Sequence, residues 1–210
     1  NLTTLRADYQ MRQGIEFSRN NQPNKAAEAF TKAATLQPRW SIYSNYLART
    51  YFRIAQGVPD PKQKKILLEA GAKALKDARE SEPLAYTNYT LSGYIYSFWA
   101  EQVDKSKWDE ALKFYETASV LAPHIPSVYD DWAMSLDKAG QYQKALEKLD
   151  YALSMENDYV QRHILKAIVL FNLRENEQAL KEIIVAVRLS SSVINQFSDW
   201  STQLKAKGMV

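Results

Sequence analysis

Residues 126–159 read PSVYDDWAMSLDKAGQYQKALEKLDYALSMENDY. Three small residues, Ala133, Ala145 and Ala152, mark helical spacing within it, with Leu136 three residues beyond the first and Leu149 between the other two. Gly140, followed by Tyr142, breaks the periodicity once, so the stretch predicts two amphipathic helices joined by a turn. The same trio recurs at Gly14, Ala26 and Ala33; Ala48, Gly71 and Ala78; Gly93, Ala111 and Ala118; and Ala167, Ala179 and Ala186. Within every trio the last two members are seven residues apart, and fifteen residues separate each trio from the next. Ala and Gly fill only 31 of 210 positions, so composition does not produce this grid. Small residues at helical spacing allow backbones to approach closely, here repeatedly.

Large apolar residues follow the same register. Phe17, Tyr51, Tyr96, Leu136 and Leu170 stand three residues after the first small member, and Phe30, Leu75, Tyr115, Leu149 and Ile183 lie midway through the second helix. Pro38, Pro83 and Pro123 close three of the units, where the missing backbone donor stops a helix. This order of small, large and proline positions resembles the tetratricopeptide repeat, a helix–turn–helix unit of about 34 residues. The resemblance implies an all-α, right-handed α-solenoid over residues 1–191, with repeats at about 7–40, 41–85, 86–125, 126–159 and 160–193. Asn157 and Ser191 replace the closing proline in the last two units, which predicts a different bend there.

The second repeat carries eleven extra residues and the third carries six, both at the turn between their helices. Gly57 is expected to end one helix, with Asp60 and Pro61 as N-cap and first-turn proline of the next. Ser106 followed by Asp109 reads as a shortened capping box. Residues 192–210 place Val193, Phe197, Trp200 and Leu204 at helical spacing, as a helix capping the last repeat or self-associating would.

Composition narrows the chemistry. With 46% hydrophobic and 24% charged residues the chain is an ordinary folded one, and no apolar run reaches a membrane span. The absence of Cys excludes disulfides and thiolate chemistry. Residues 1–105 carry 15 basic and 10 acidic groups and residues 106–210 carry 12 and 14, without the dense basic stripe of a nucleic-acid binder. His124 lies in a turn between prolines, and His163 takes a packing position. No metal-ligand spacing, nucleophile–base pair or glycine-rich phosphate loop is present, so no catalytic residue, cofactor or metal is assigned. Asp130 and Asp131, adjacent on a helix, point about 100° apart and make a poor carboxylate pair. Tyr51, Tyr96, Tyr115 and Trp132 fall on packing positions, so most aromatics are expected in the core.

Function is therefore expected on a surface. The resemblance implies a concave groove lined by the first helix of each repeat: Met11 and Ile15, with Ser18; Asn45, Arg49 and Phe52; Thr90, Tyr94 and Phe98, with Ser97; Asp130 and Met134, with Asp137; and Ile164, Ile168 and Phe171. One row reads Ile15, Arg49, Tyr94, Met134 and Ile168, mostly apolar, as a bound peptide requires. A protein or peptide partner is the expectation, and a glycan stacked on groove aromatics or a purely oligomerising module are the alternatives. The cationic clamp with which some relatives hold chaperone carboxylate tails is absent, because its positions hold Met11, Ile15, Tyr46, Thr87 and Leu91. The long second repeat, and a third reading Gly93-Tyr94-Ile95-Tyr96-Ser97-Phe98-Trp99-Ala100, resemble the soluble repeat domain of bacterial O-antigen ligase- or polymerase-like membrane proteins. That resemblance implies tethering to a bacterial inner membrane, with the glycan chemistry elsewhere in the parent protein.

Overall fold

The computed structural model describes residues 2–190 and 192. Among them are ten α-helices and one 3-10 turn: α1 (Leu2–Arg19), α2 (Pro23–Leu36), α3 (Ser41–Gly57), α4 (Pro61–Ser81), α5 (Tyr86–Gln102), the 3-10 turn (Lys105–Lys107), α6 (Trp108–Leu121), α7 (Pro126–Lys138), α8 (Tyr142–Met155), α9 (Val160–Asn172) and α10 (Asn176–Leu189). They pair in order into five helix–turn–helix repeats. The chain divides into two units, Asn1–Pro123 with three repeats and His124–Val210 with the last two. Within each unit the second helix of one repeat also packs on the first helix of the next. The expected capping segment, residues 192–210, lies outside the described residues except for Ser192, and Ser191 lies outside them too.

Every one of the fifteen small positions is buried. The reason is visible in the facing residue. A Cβ added at Gly14 would stand 2.5 Å from the Phe30 ring, and one at Gly93 would stand 2.6 Å from the Tyr115 ring. Where the second-helix residue at this register is Leu75 or Ile183, the small position is Ala48 or Ala167 instead, in the same buried cluster. Ala133 with Leu149 follows the same register, both buried. Ring and glycine, or aliphatic and alanine, fill similar volumes at interior density. The third alanine of each trio has a second task. Its carbonyl accepts the N–H of the residue that ends the second helix, in all five repeats.

The turns explain the repeat length. In the three repeats without an insertion, Asn21, Gly140 and Arg174 adopt φ of 53°, 75° and 65°. The next N–H then reaches back to the carbonyl of Phe17, Leu136 or Leu170 at 2.8–2.9 Å, closing a Schellman turn. The insertion in the second repeat replaces that turn by longer helices. Asp60 accepts from Lys62 N and Gln63 N, as its N-cap reading requires, and Pro61 opens α4.

The insertion in the third repeat differs from its sequence reading. Ser106 and Asp109 form no capping box. Asp104 instead accepts from the Ser106 backbone at 3.0 Å and its hydroxyl at 2.7 Å, shaping a 3-10 turn that leads directly into α6. The turn takes the place of a side-chain cap, since Lys107, which precedes α6, makes none.

Candidate functional site

Three polar side chains stitch neighbouring repeats together, and they decide which groove residues remain available. All three occupy the third position of their repeat. Tyr43 donates to Asp8 at 2.8 Å, and burial together with that carboxylate pushes its phenol up to about 12. Asn88 is fully buried, donates to the carbonyls of Ala78 and Glu82, and accepts from Asn45 at 2.8 Å. Arg162, 2% exposed, donates from Nε and Nη2 to both Asp130 oxygens at 2.7 and 2.9 Å, and from Nη1 to the Glu156 carbonyl at 2.5 Å. A polar residue recurring at one register position was the available signal, but Tyr, Asn and Arg share no chemistry that would expose it in a sequence.

The same contacts account for the junction without its proline. α8 stops at Met155 as cleanly as its counterparts, because Arg162 takes the Glu156 carbonyl and His163 Nε2 lies 2.9 Å from the Asn157 carbonyl. Side chains of the following helix replace proline as the stop. His163 Nδ1 also faces Glu182 at 2.7 Å, and Lys166 bridges Glu182 and Asp150. Burial pushes the Glu182 carboxyl up, but those two partners outweigh it and hold it below the usual range.

In the first unit the predicted groove residues separate by depth. Met11 packs against the cluster of Ala7, Ala33 and Tyr43. Ile15 is half-buried, Arg49 is exposed, and Asn45 is bound to Asn88. Thr90 is half-buried and returns a hydrogen bond to the Thr87 carbonyl within its own helix. Phe52 is core rather than surface: its ring meets Tyr94 at 5.3 Å and Phe98 at 5.0 Å, both edge-on, alongside Leu91 and Ile95. Tyr94, 44% exposed, is the ring of this trio most open to solvent.

In the second unit four predicted residues do come together. Asp130 and Met134 on α7 and Ile164 and Ile168 on α9 line one cleft of 550 Å³. Phe171 is half-buried farther along α9. Tyr159 stands at the cleft with its ring 5.2 Å from the Arg162 guanidinium. Asp131 also lines it, a residue that nothing in its local sequence singles out beyond its angle to Asp130. Among the described residues the Asp131 carboxylate has neither a hydrogen-bond nor an ion-pair partner. Burial, with Asp130 beside it, pushes its carboxyl up to about 6. No group of three His, Cys, Asp or Glu among the described residues is placed to hold a metal ion. No helix among them is long and apolar enough to cross a membrane.

No protein-family model matches the sequence, and no curated protein does. Solved structures do. A thermophilic TPR protein of Thermus thermophilus superposes with a TM-score of 0.69 at 17% identity, over 94% of this chain and 98% of its own. MamA protein does so at 0.67 and 15% identity, over 90% and 94% of the two chains. MamA from Desulfovibrio magneticus RS-1 gives 0.68 and 12%, over 89% and 96%. Likeness of backbone at so little shared sequence is likeness of fold, and the fold is that of the tetratricopeptide repeat, an all-α solenoid of five helix–turn–helix units.

Proposed function

We propose that this chain is a non-catalytic scaffold that binds a partner protein through an extended or helical peptide segment on the first-helix faces of its repeats. The observation that carries the reading is the cleft between α7 and α9. It offers Met134, 38% exposed, beside the half-buried Ile168, an apolar floor bordered by Ile164, which also packs on the Ala167 and Ile183 cluster of its own repeat. Binding would bury this floor and would need no conformational change of the helices that carry it. Selection from a random peptide display library on the intact chain tests it. Wild-type protein is expected to enrich a set of sequences, and a Met134→Gln, Ile168→Gln variant with an unchanged melting temperature is expected to lose them. Failure of the wild type to enrich any sequence above bare support removes the reading.

The more particular assignment, to the repeat domain of an O-antigen ligase- or polymerase-like envelope protein, is supported by the insertions in the second and third repeats. Membrane spans encoded upstream of Asn1 would be expected, and an immediately preceding start codon would end it. A glycan-binding reading draws on Tyr94, whose exposed ring is braced edge-on by Phe52. It predicts quenching of Trp fluorescence by oligosaccharide that Tyr94→Ala abolishes. No change on titration would dismiss it.

A further inference from the structure

Three carboxylates, Asp130, Asp131 and Glu156, line the cleft between α7 and α9, against one guanidinium, Arg162. Arg162 is committed. Both Asp130 oxygens accept from it, and Glu156 receives it through the carbonyl at 2.5 Å and the carboxylate at 3.2 Å. Its side chain is 1% exposed, so its charge cannot swing toward Asp131 without breaking four hydrogen bonds. Among the described residues the Asp131 carboxylate therefore has no counter-charge, and it is set beside an apolar floor and partly withdrawn from water. An unpaired charge in such a place costs stability, and a helix surface would avoid that cost with Asn or Ser.

We propose that the cleft of α7 and α9 takes a peptide segment carrying a Lys or Arg next to an apolar side chain, the cation pairing with Asp131 and the apolar group lying on Met134 and Ile168. This deepens the peptide-binding reading and rests on it. The charge pattern is the reverse of a clamp for acidic tails. An anionic segment would meet three carboxylates and no available cation, and a purely apolar one would leave Asp131 buried and still unpaired. The exposed Tyr159, one side of which faces Arg162, adds an aromatic wall near the same carboxylates.

The test uses the intact chain, a random peptide display library, and the best-enriched peptide synthesised with a fluorophore. Enriched sequences are expected to carry Lys or Arg adjacent to Leu, Ile or Met. Asp131→Asn, which keeps the side-chain shape, is expected to weaken the peptide about tenfold, roughly 1.4 kcal/mol. Replacing the peptide's cation by norleucine should weaken it similarly on the wild type and no further on Asp131→Asn, and raised salt should reduce the wild-type affinity. Peptides that lose affinity with Met134→Gln and Ile168→Gln but bind Asp131→Asn unchanged would overturn the cationic selectivity and leave the groove standing. Enriched sequences without Lys or Arg would do the same. An empty selection would overturn both.

Discussion

Gly14 and Phe30 offer a direct measure of how the repeat holds itself together. Exchanging glycine for alanine inside a helix normally stabilises it by about 1 kcal/mol. At Gly14 the added Cβ would stand 2.5, 2.8 and 2.8 Å from three atoms of the Phe30 ring, well inside van der Waals contact. The ring has little freedom to retreat, being 1% exposed and 5.2 Å from the Tyr46 ring. Overpacking of this kind costs about 1–3 kcal/mol, so after the gain in propensity Gly14→Ala is expected to be destabilising by up to about 2 kcal/mol, where an unhindered site would be stabilised. Phe30→Leu alone should cost a similar amount through the volume it leaves empty. Together the two recreate the Ala–Leu combination that the chain uses at the same register in the cluster of Ala48 and Leu75. The double variant should therefore be more stable than additivity allows by about 1–2 kcal/mol. Urea unfolding of the four proteins measures the cycle. Gly71 is the internal control, since its added Cβ would meet Ala48 O at 3.5 Å and Tyr51 Cβ at 3.7 Å. Gly71→Ala should stabilise by about 0.5–1 kcal/mol. Additive single effects at Gly14 and Phe30, or equal effects at Gly14 and Gly71, would refute the volume argument.

Burial pushes the Asp131 carboxyl up to about 6 from an ordinary 3.8, so between those pH values the native chain holds a proton there that the unfolded chain releases, while near neutral pH both are ionised. Its ionisation lowers stability as pH rises from about 4 to 6, by at most about 3 kcal/mol, and Asp131→Asn is expected to raise the melting temperature at pH 7 and not at pH 3.5. An equal shift at both values would show that charge is not the cause. Arg174 holds φ of 65° where Gly140 holds 75° in the preceding repeat, so Arg174→Gly should stabilise by about 0.5–1 kcal/mol in chemical denaturation. A loss of stability there would mean that the arginine side chain contributes more than the backbone strain costs. Arg162→Met leaves Asp130 without its counter-ion and the Glu156 carbonyl without its donor, and is expected to cost about 3 kcal/mol. A loss below about 1 kcal/mol would place these contacts among surface ion pairs instead.

Periodicity determined that this protein is an array of close-packed helix pairs, and the resemblance carried by the same positions implied its solenoid fold. Small residues must sit where helices touch, and the touching geometry repeats, so Gly14, Ala48, Gly93, Ala133 and Ala167 fix the register of every helix before any contact is known. The second-repeat turn was legible for the same reason, because Asp60 and Pro61 act on their immediate neighbours. Ser106 and Asp109 misled, since Asp104, two residues before Ser106, competes for the same backbone donor and wins. Tertiary structure alone decided which groove residues are free. Asn45 and Asp130 carry the polar chemistry a ligand would want, yet Asn88 and Arg162, more than thirty residues distant in sequence, take it for the stack. Asp131 differs from Asp130 by one step along a helix, and that rotation of about 100° puts one carboxylate on the guanidinium and leaves its neighbour unpaired. Sequence fixes what is adjacent along a helix; the availability of a charge depends on what another repeat brings to it.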